Sequence, residues 1–217
     1  MAQSAGTTPA PRPLRRPTRS DARRNYDLLL KAADEAFTTR GGDVPLEDVA
    51  RAAGVAIGTL YRNFPARQDL VRAVYLHQLA ELEAELEALV AADQPADEAF
   101  LTLLRLHLEF STRGHCLAAG VLAKQRHGTM GPGEHCVRVG VLAQILLSRA
   151  QAAGAIREDA HLTDILGITY GIALANADAH VDAAASQRML GILADGLRPE
   201  RAKRADTRSS SAAQEEN

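Results

Sequence analysis

The chain of 217 residues contains no Trp and only four Tyr and four Phe, so aromatics make up 4% of it. Strands favour aromatic and β-branched residues, whereas Ala and Leu dominate the 46% hydrophobic fraction here. Helix formers outweigh strand formers, and the composition predicts an all-α fold. Cys116 and Cys136 are the only cysteines, too few for a disulfide framework at this length. No run approaches the roughly 20 apolar residues of a membrane span. Residues 1–20 lack the apolar core of a signal peptide. A soluble, cytoplasmic protein with no membrane partner is therefore expected. There is no Gly-rich phosphate loop opening a helix, no nucleophile elbow and no carboxylate pair that can be placed. Neither catalysis nor a cofactor is expected.

Charge is also scarce in net terms, at −2, but it is unevenly divided. From Arg12 to Arg72 there are 12 Lys and Arg against 8 Asp and Glu. The rest of the chain carries 13 against 19. A basic module that meets phosphates, carried on an acidic body that does not, accounts for this division.

Within the basic part, the stretch LEDVARAAGVAIGTLYRNFPARQD, Leu46 to Asp69, organises everything around it. Leu46, Val49, Ala50 and Ala53 recur at the spacing of one helix face. Gly54 stands where a helix needs a left-handed residue to end. Ile57, Leu60 and Phe64 share a face of a second short run, which Pro65 stops. Two short helices joined by a Gly-containing turn form a helix-turn-helix. Ala50 suits their close crossing. With the apolar faces turned inward, Thr59, Tyr61, Arg62 and Asn63 face outward, a poor core but a good groove reader.

GVAIGTLYRNFPARQDL resembles the signature of the tetracycline-repressor (TetR) family of bacterial transcription regulators. LLLKAADEAFTTRGGDVPLEDVARAAG resembles that family's first two helices, and the likeness runs from about Asp21 to Tyr75. The resemblance implies a three-helix head that binds double-stranded operator DNA, a helical ligand-binding body, a homodimer and a small-molecule effector that releases a repressor. The helix Ile57 to Asn63 would enter the major groove, with Thr59 and the backbone at Gly58 near base edges and Arg62 addressing guanine. Tyr61 and Arg67 match positions that contact phosphates in the family and set register without reading sequence. Two positions depart from the pattern. Ala56 stands where Ser is usual, which removes a helix cap typically worth about 1 kcal/mol. Pro45 stands where Thr is usual; it suits the first turn of a helix but offers no hydroxyl to a phosphate. These departures leave open an alternative, a helical ligand-binding or interaction protein that has lost specific DNA binding.

The remaining chain divides readily. Residues 1–19, rich in Pro, Thr, Ala and Arg, read as a disordered arm. Arg12, Arg15, Arg16 and Arg19 either follow DNA or sit on a solvated tail. The DNA-binding head is expected over 20–65; its first helix starts near Thr18 to Asp21 (T-x-x-D resembles a capping box) and stops at Gly41-Gly42. The connecting helix and body span 66–199, and a tail spans 200–217. A long helix is predicted from Ala66 to Ala92, striped by Leu70, Val74, Leu79, Leu82 and Leu86. Glu81, Glu83, Glu85 and Glu87 crowd its other side with like charges at i and i+4, so tertiary packing must hold it. Asp97 to Thr112 is apolar on almost every side and belongs inside a bundle. QRHGTMGPG excludes regular structure, and further helices are expected at Glu134–Ala153, Leu162–Ala179 and Ser186–Leu197.

Gly167, Gly171, Ala175 and Ala179 fall at intervals of four and form one ridge of small residues, which lets two helix backbones approach closely. The family likeness puts the dimer interface on this ridge, joined by Met189, Ile192 and Leu193 of the last helix. A tight contact within one subunit is the other reading. His107, His115, His127 and His135 fall within 30 residues, 107–136, that also hold both cysteines. No C-x-x-C or H-x-x-x-H pair occurs among them, so no metal site is expected. A ligand pocket with polar His side chains and scattered core or surface positions both remain open. The expected pocket residues are Phe100, Leu104, His107, Phe110, Cys116 and His127, with an apolar effector entering near QRHGTMGPG.

Overall fold

The computed structural model describes residues 17, 20–41, 43–118, 134–177 and 183–199; for 115–118, 134, 176, 177 and 183 only the backbone is described. Eight helices and no strands occur among the described residues. α1 spans Ser20–Arg40, α2 Leu46–Ala52, α3 Ile57–Asn63 and α4 Arg67–Ala91. α5 spans Ala96–Ala118, α6 Glu134–Ala152, α7 Leu162–Ala177 and α8 Ala183–Leu197. The all-α expectation holds. Arg19, Thr18, His127, Ala179, the loop QRHGTMGPG and residues 1–16 and 200–217 lie outside the described residues, as does the side chain of Cys116.

Two apolar cores form. The first joins α1, α2 and α3 to the opening turns of α4, with Leu29, Phe37, Val49, Leu60, Phe64, Leu70 and Val74 fully covered. The second joins the rest of α4 to α5, α6, α7 and α8 around Leu86, Phe100, Leu104, Leu146 and Ile165. α4, about 38 Å long at 1.5 Å per residue, runs through both. The packing boundary between head and body therefore falls within this helix, beyond Val74, rather than at Pro65.

Three expectations need correction. α5 continues to Ala118, six residues past Thr112, because Arg113 to Cys116 offer no helix-breaking proline before the apolar Leu117. It is also less uniformly apolar than expected: Asp97, Glu98, Arg105 and Glu109 form an exposed side. α8 starts three residues before Ser186, where Ala183 to Ala185 favour helix.

The acidic side of α4 is not left to repulsion. Glu83 accepts hydrogen bonds from the Arg138 guanidinium and pairs with the His135 ring, and Glu87 also pairs with Arg138, all from α6. These bonds, that to His135 foremost, hold the Glu83 carboxyl below its usual value. Arg149 of α6 donates to the Val90 carbonyl at 2.6 Å, satisfying an acceptor in the last turn of α4. His77 and Glu81 add a pair within α4 at 3.4 Å.

Candidate nucleic-acid interface

The geometry of the α2–α3 unit follows from its turn. α2 ends on Ala53, and Gly54 takes φ of +65°, in the left-handed region that glycine enters without a side-chain clash. Gly54 N–H donates to Arg51 at 3.1 Å and Val55 N–H to Ala50 at 2.9 Å, the paired bonds of a Schellman ending. This turn aims α3 across α2. Leu60 and Phe64 are buried on the inner side, Ala50 is buried at the crossing, and the Phe64 ring lies 5.0 Å from that of Tyr26 on α1.

Ile57 departs from the expected inner face. It is 38% exposed, beside Tyr61 at 44%. Within the short α3 only Leu60 is buried, and Phe64 at its C-terminal cap completes the contact with the core. Ile57, Gly58, Tyr61 and Arg62 thus share the exposed side, with Thr59 and Asn63 half-buried at its edge. Arg62 donates to the Thr59 hydroxyl at 2.6 Å, and the Asn63 amide donates to the Thr59 carbonyl at 2.9 Å. These bonds hold the guanidinium and amide along the helix surface.

Both departures from the family pattern have structural counterparts. Ala56 is the N-cap of α3, with φ −61° and ψ 138°, and no side chain caps the first turn. Pro45 is the N-cap of α2 rather than a residue of its first turn. Its carbonyl accepts from Asp48 at 3.1 Å, so the ring sits just outside the helix, where its missing N–H costs nothing. Asp69 accepts from the Ala66 N–H at 3.1 Å and starts α4 cleanly. Arg67, half-buried in the first turn of α4, donates to the Val44 carbonyl of the α1–α2 link. That bond ties the connecting helix to the head.

Comparison with known proteins agrees with this geometry. Residues 29–74 match the model for bacterial regulatory proteins of the tetR family. Residues 94–199 match the model for the SbtR-like transcriptional regulator C-terminal domain. The TetR transcriptional regulator SCO0520 from Streptomyces coelicolor is 35% identical, with a TM-score of 0.64, over 80% of this chain and 98% of that one. The TetR regulatory protein from Mycobacterium vanbaalenii is 29% identical, with a TM-score of 0.61, over 84% and 100%. The HTH-type transcriptional regulator SAR0097 from Staphylococcus aureus is 30% identical over 79 residues, so the chain spans 41% of that curated relative. This chain belongs to the TetR family. It is a transcription regulator with a DNA-binding helix-turn-helix.

In the body of the regulator, Phe100 and Leu104 are fully buried in the second core. Phe110 lies towards α4, where its ring is 5.7 Å from that of Tyr75, and His107 lies one turn earlier on α5. Burial pushes the His107 imidazole down to about 4, so it is neutral near pH 7. Burial, reinforced by a hydrogen bond with Cys136, pushes the Tyr75 hydroxyl up to about 12. His135, one of the histidines clustered in sequence with the cysteines, pairs with Glu83. Among the described residues no group of His, Cys, Asp and Glu has metal-ligand geometry. No helix among them is long and apolar enough to cross a membrane.

The small-residue ridge lies bare on the single chain. Gly167, Gly171 and Ala175 are exposed, and a Cβ added at either glycine meets nothing within 4 Å. Ile168 is 53% exposed and Ile192 73%, with Met189 and Leu174 also open. An open groove of about 600 Å³ runs between α7 and α8, while Leu193 is half-buried and packs partly onto the body core. Sequence reasoning passed over Gln78. Its place in the series Leu70, Val74, 78, Leu82, Leu86, a polar residue at a stripe position, was the available signal.

Proposed function

We propose that the regulator is a homodimeric repressor that occupies paired half-sites and leaves them when a small molecule binds its helical body. The observation that carries this reading is the exposed side of α3, where Ile57, Gly58, Tyr61 and Arg62 stand out from a head with its own core. Such a helix can lie in the major groove with Thr59 and the Gly58 backbone near base edges and Arg62 on guanine. Tyr61 and Arg67 then hold phosphates. Arg67 reaches its phosphate from the anchored start of α4, which fixes the register of the whole head.

Dimerisation through α7 and α8 is supported by the uncovered ridge and by Ile168 and Ile192 beside it. Isolated exposed apolar residues are ordinary, but a contiguous set along two adjacent helices marks an interaction face. Pairing these faces fixes the separation of two α3 helices, which has to match half-sites about one DNA turn, roughly 34–36 Å, apart. The effector sits in the body near Phe100, Leu104, His107 and Phe110, and acts through α4. Effector and operator then weaken each other by the same factor, because coupling is reciprocal.

Selection from random duplexes tests the reading. Expected are enriched sites with two-fold symmetry and half-sites one turn apart, bound with a strong salt dependence. Arg67→Ala should weaken specific and random duplexes alike and flatten the slope of log K against log salt by about 1. Equal affinity for every duplex, with no enriched sequence, would instead favour a helical ligand-binding protein, the reading that the uncapped starts of α2 and α3 support.

A further inference from the structure

α1 and α6 each pack along α4 but hardly on each other, and a cavity of about 660 Å³ lies among the three helices. Tyr26, Asp27 and Leu30 line it from α1. Leu76, His77 and Ala80 line it from α4, on one face by their spacing, and His135 reaches it from α6. Phe100, Leu104, His107 and Phe110, where the effector was placed above, are not among its lining residues. The cavity belongs instead to the junction with the head. Tyr26 in its wall is the residue whose ring lies 5.0 Å from Phe64, at the end of α3.

Two histidines from different helices therefore meet one cavity, and each is oriented by a carboxylate outside the lining. His77 Nε2 pairs with Glu81 at 3.4 Å, and His135 Nδ1 pairs with Glu83. An ionised carboxylate can only accept, so each ring turns an N–H to its partner. In the neutral imidazole the other nitrogen then carries a lone pair: Nδ1 in His77 and Nε2 in His135. Neither of these nitrogens bonds to another described residue. Both side chains are about half exposed, so a solute can reach them. The lining thus offers two acceptors beside the apolar surface of Leu30 and Leu76. Charge selects further. An anion would meet Asp27 in the wall and Glu81 and Glu83 behind the rings, while the Arg138 guanidinium is already shared between Glu83 and Glu87. Two imidazoles do not make a metal site here, since no third ligand among the described residues has suitable geometry.

We propose that this cavity binds an amphipathic primary ammonium, whose N–H groups donate to His77 Nδ1 and His135 Nε2 while its hydrocarbon chain lies on Leu30 and Leu76. The surrounding carboxylates balance its charge. A quaternary ammonium carries the same charge but no N–H, and leaves both acceptors unmet. An alcohol brings a single O–H and no charge. The site stands apart from the effector seat of the proposed function and does not depend on it.

The test uses the full chain without DNA at pH 8 and four linear probes: hexylamine, hexyltrimethylammonium, 1-hexanol and hexanoate. Affinity is read by calorimetry. Hexylamine should bind about tenfold more tightly than each of the others, the scale of one well-made hydrogen bond. His77→Leu and His135→Leu should lose that preference. His77→Asn and His135→Gln, whose side-chain amides reach the places of Nδ1 and Nε2, should keep it. Ala80→Phe, which puts a ring into the cavity, should abolish binding. If Ala80→Phe does not fold, the four histidine variants decide alone. Hexyltrimethylammonium binding as tightly as hexylamine would mean that charge alone acts, and would overturn the seat. So would equal affinity for hexanoate or 1-hexanol, no binding of hexylamine at millimolar concentration, or unchanged affinity in the two Leu variants.

Discussion

Replacing His107 by Leu removes a group that the folded body keeps neutral far below the usual histidine range. In the unfolded chain this imidazole takes up a proton near pH 6.5, whereas burial in the folded body delays protonation to about 4. Between these values the unfolded state binds more protons, so stability falls as pH falls, and the loss is complete below pH 4. At about 1.4 kcal/mol per pH unit, the gap amounts to about 3 kcal/mol. Urea unfolding followed by circular dichroism at pH 7.5, 6.5, 5.5 and 4.5 reads this directly, at one protein concentration because dimerisation also contributes. The wild-type chain should lose about 2–3 kcal/mol more than His107→Leu from the first pH to the last. The other histidines and the carboxylates are common to both proteins and cancel in the difference. Parallel stability curves for the two would show that His107 is solvated in the folded body and would refute the argument from burial.

Gly171→Leu should leave each protomer folded, since an added Cβ meets nothing within 4 Å and Gly to Leu gains up to about 1 kcal/mol in helix propensity. It should nevertheless yield a monomer in sedimentation and abolish operator binding; a mutant that stays dimeric and binds normally would remove the interface from this ridge. Arg62→Ala should relax base preference at one position of each half-site by roughly 1–3 kcal/mol, read from affinities for single-substituted operators. Equal losses on every operator would assign Arg62 to phosphate. Ala56→Ser should supply the missing cap on α3 and raise the stability of the head by about 1 kcal/mol, checked by urea unfolding; no gain would mean that the first turn is already satisfied by solvent.

The sequence by itself determined the helices and the head. Apolar spacing from Leu46 to Phe64, with Gly54 and Pro65 as stops, defines α2 and α3 within one or two residues, because turn chemistry and periodicity are local properties. The outward placement of Tyr61 and Arg62 followed from the same pattern. The ridge of Gly167, Gly171 and Ala175 was also legible, but not whether its own chain covers it; that needed the path of α7 past α8. Tertiary structure alone decided the rest. Ile57 fits the inner stripe by spacing and yet lies exposed, because within the seven-residue α3 only Leu60 reaches the core, joined by Phe64 at its C-terminal cap. The like charges of Glu83 and Glu87 read as repulsion along α4 until Arg138 and His135, more than fifty residues later, arrive from α6 to neutralise them. Gln78 and Asp34 lie 44 positions apart in sequence, and nothing local to either reveals that α4 meets α1 there. Contacts distant in sequence depend on how helices pack, and a helix carries the pattern of its own faces but not the identity of the neighbour that covers them.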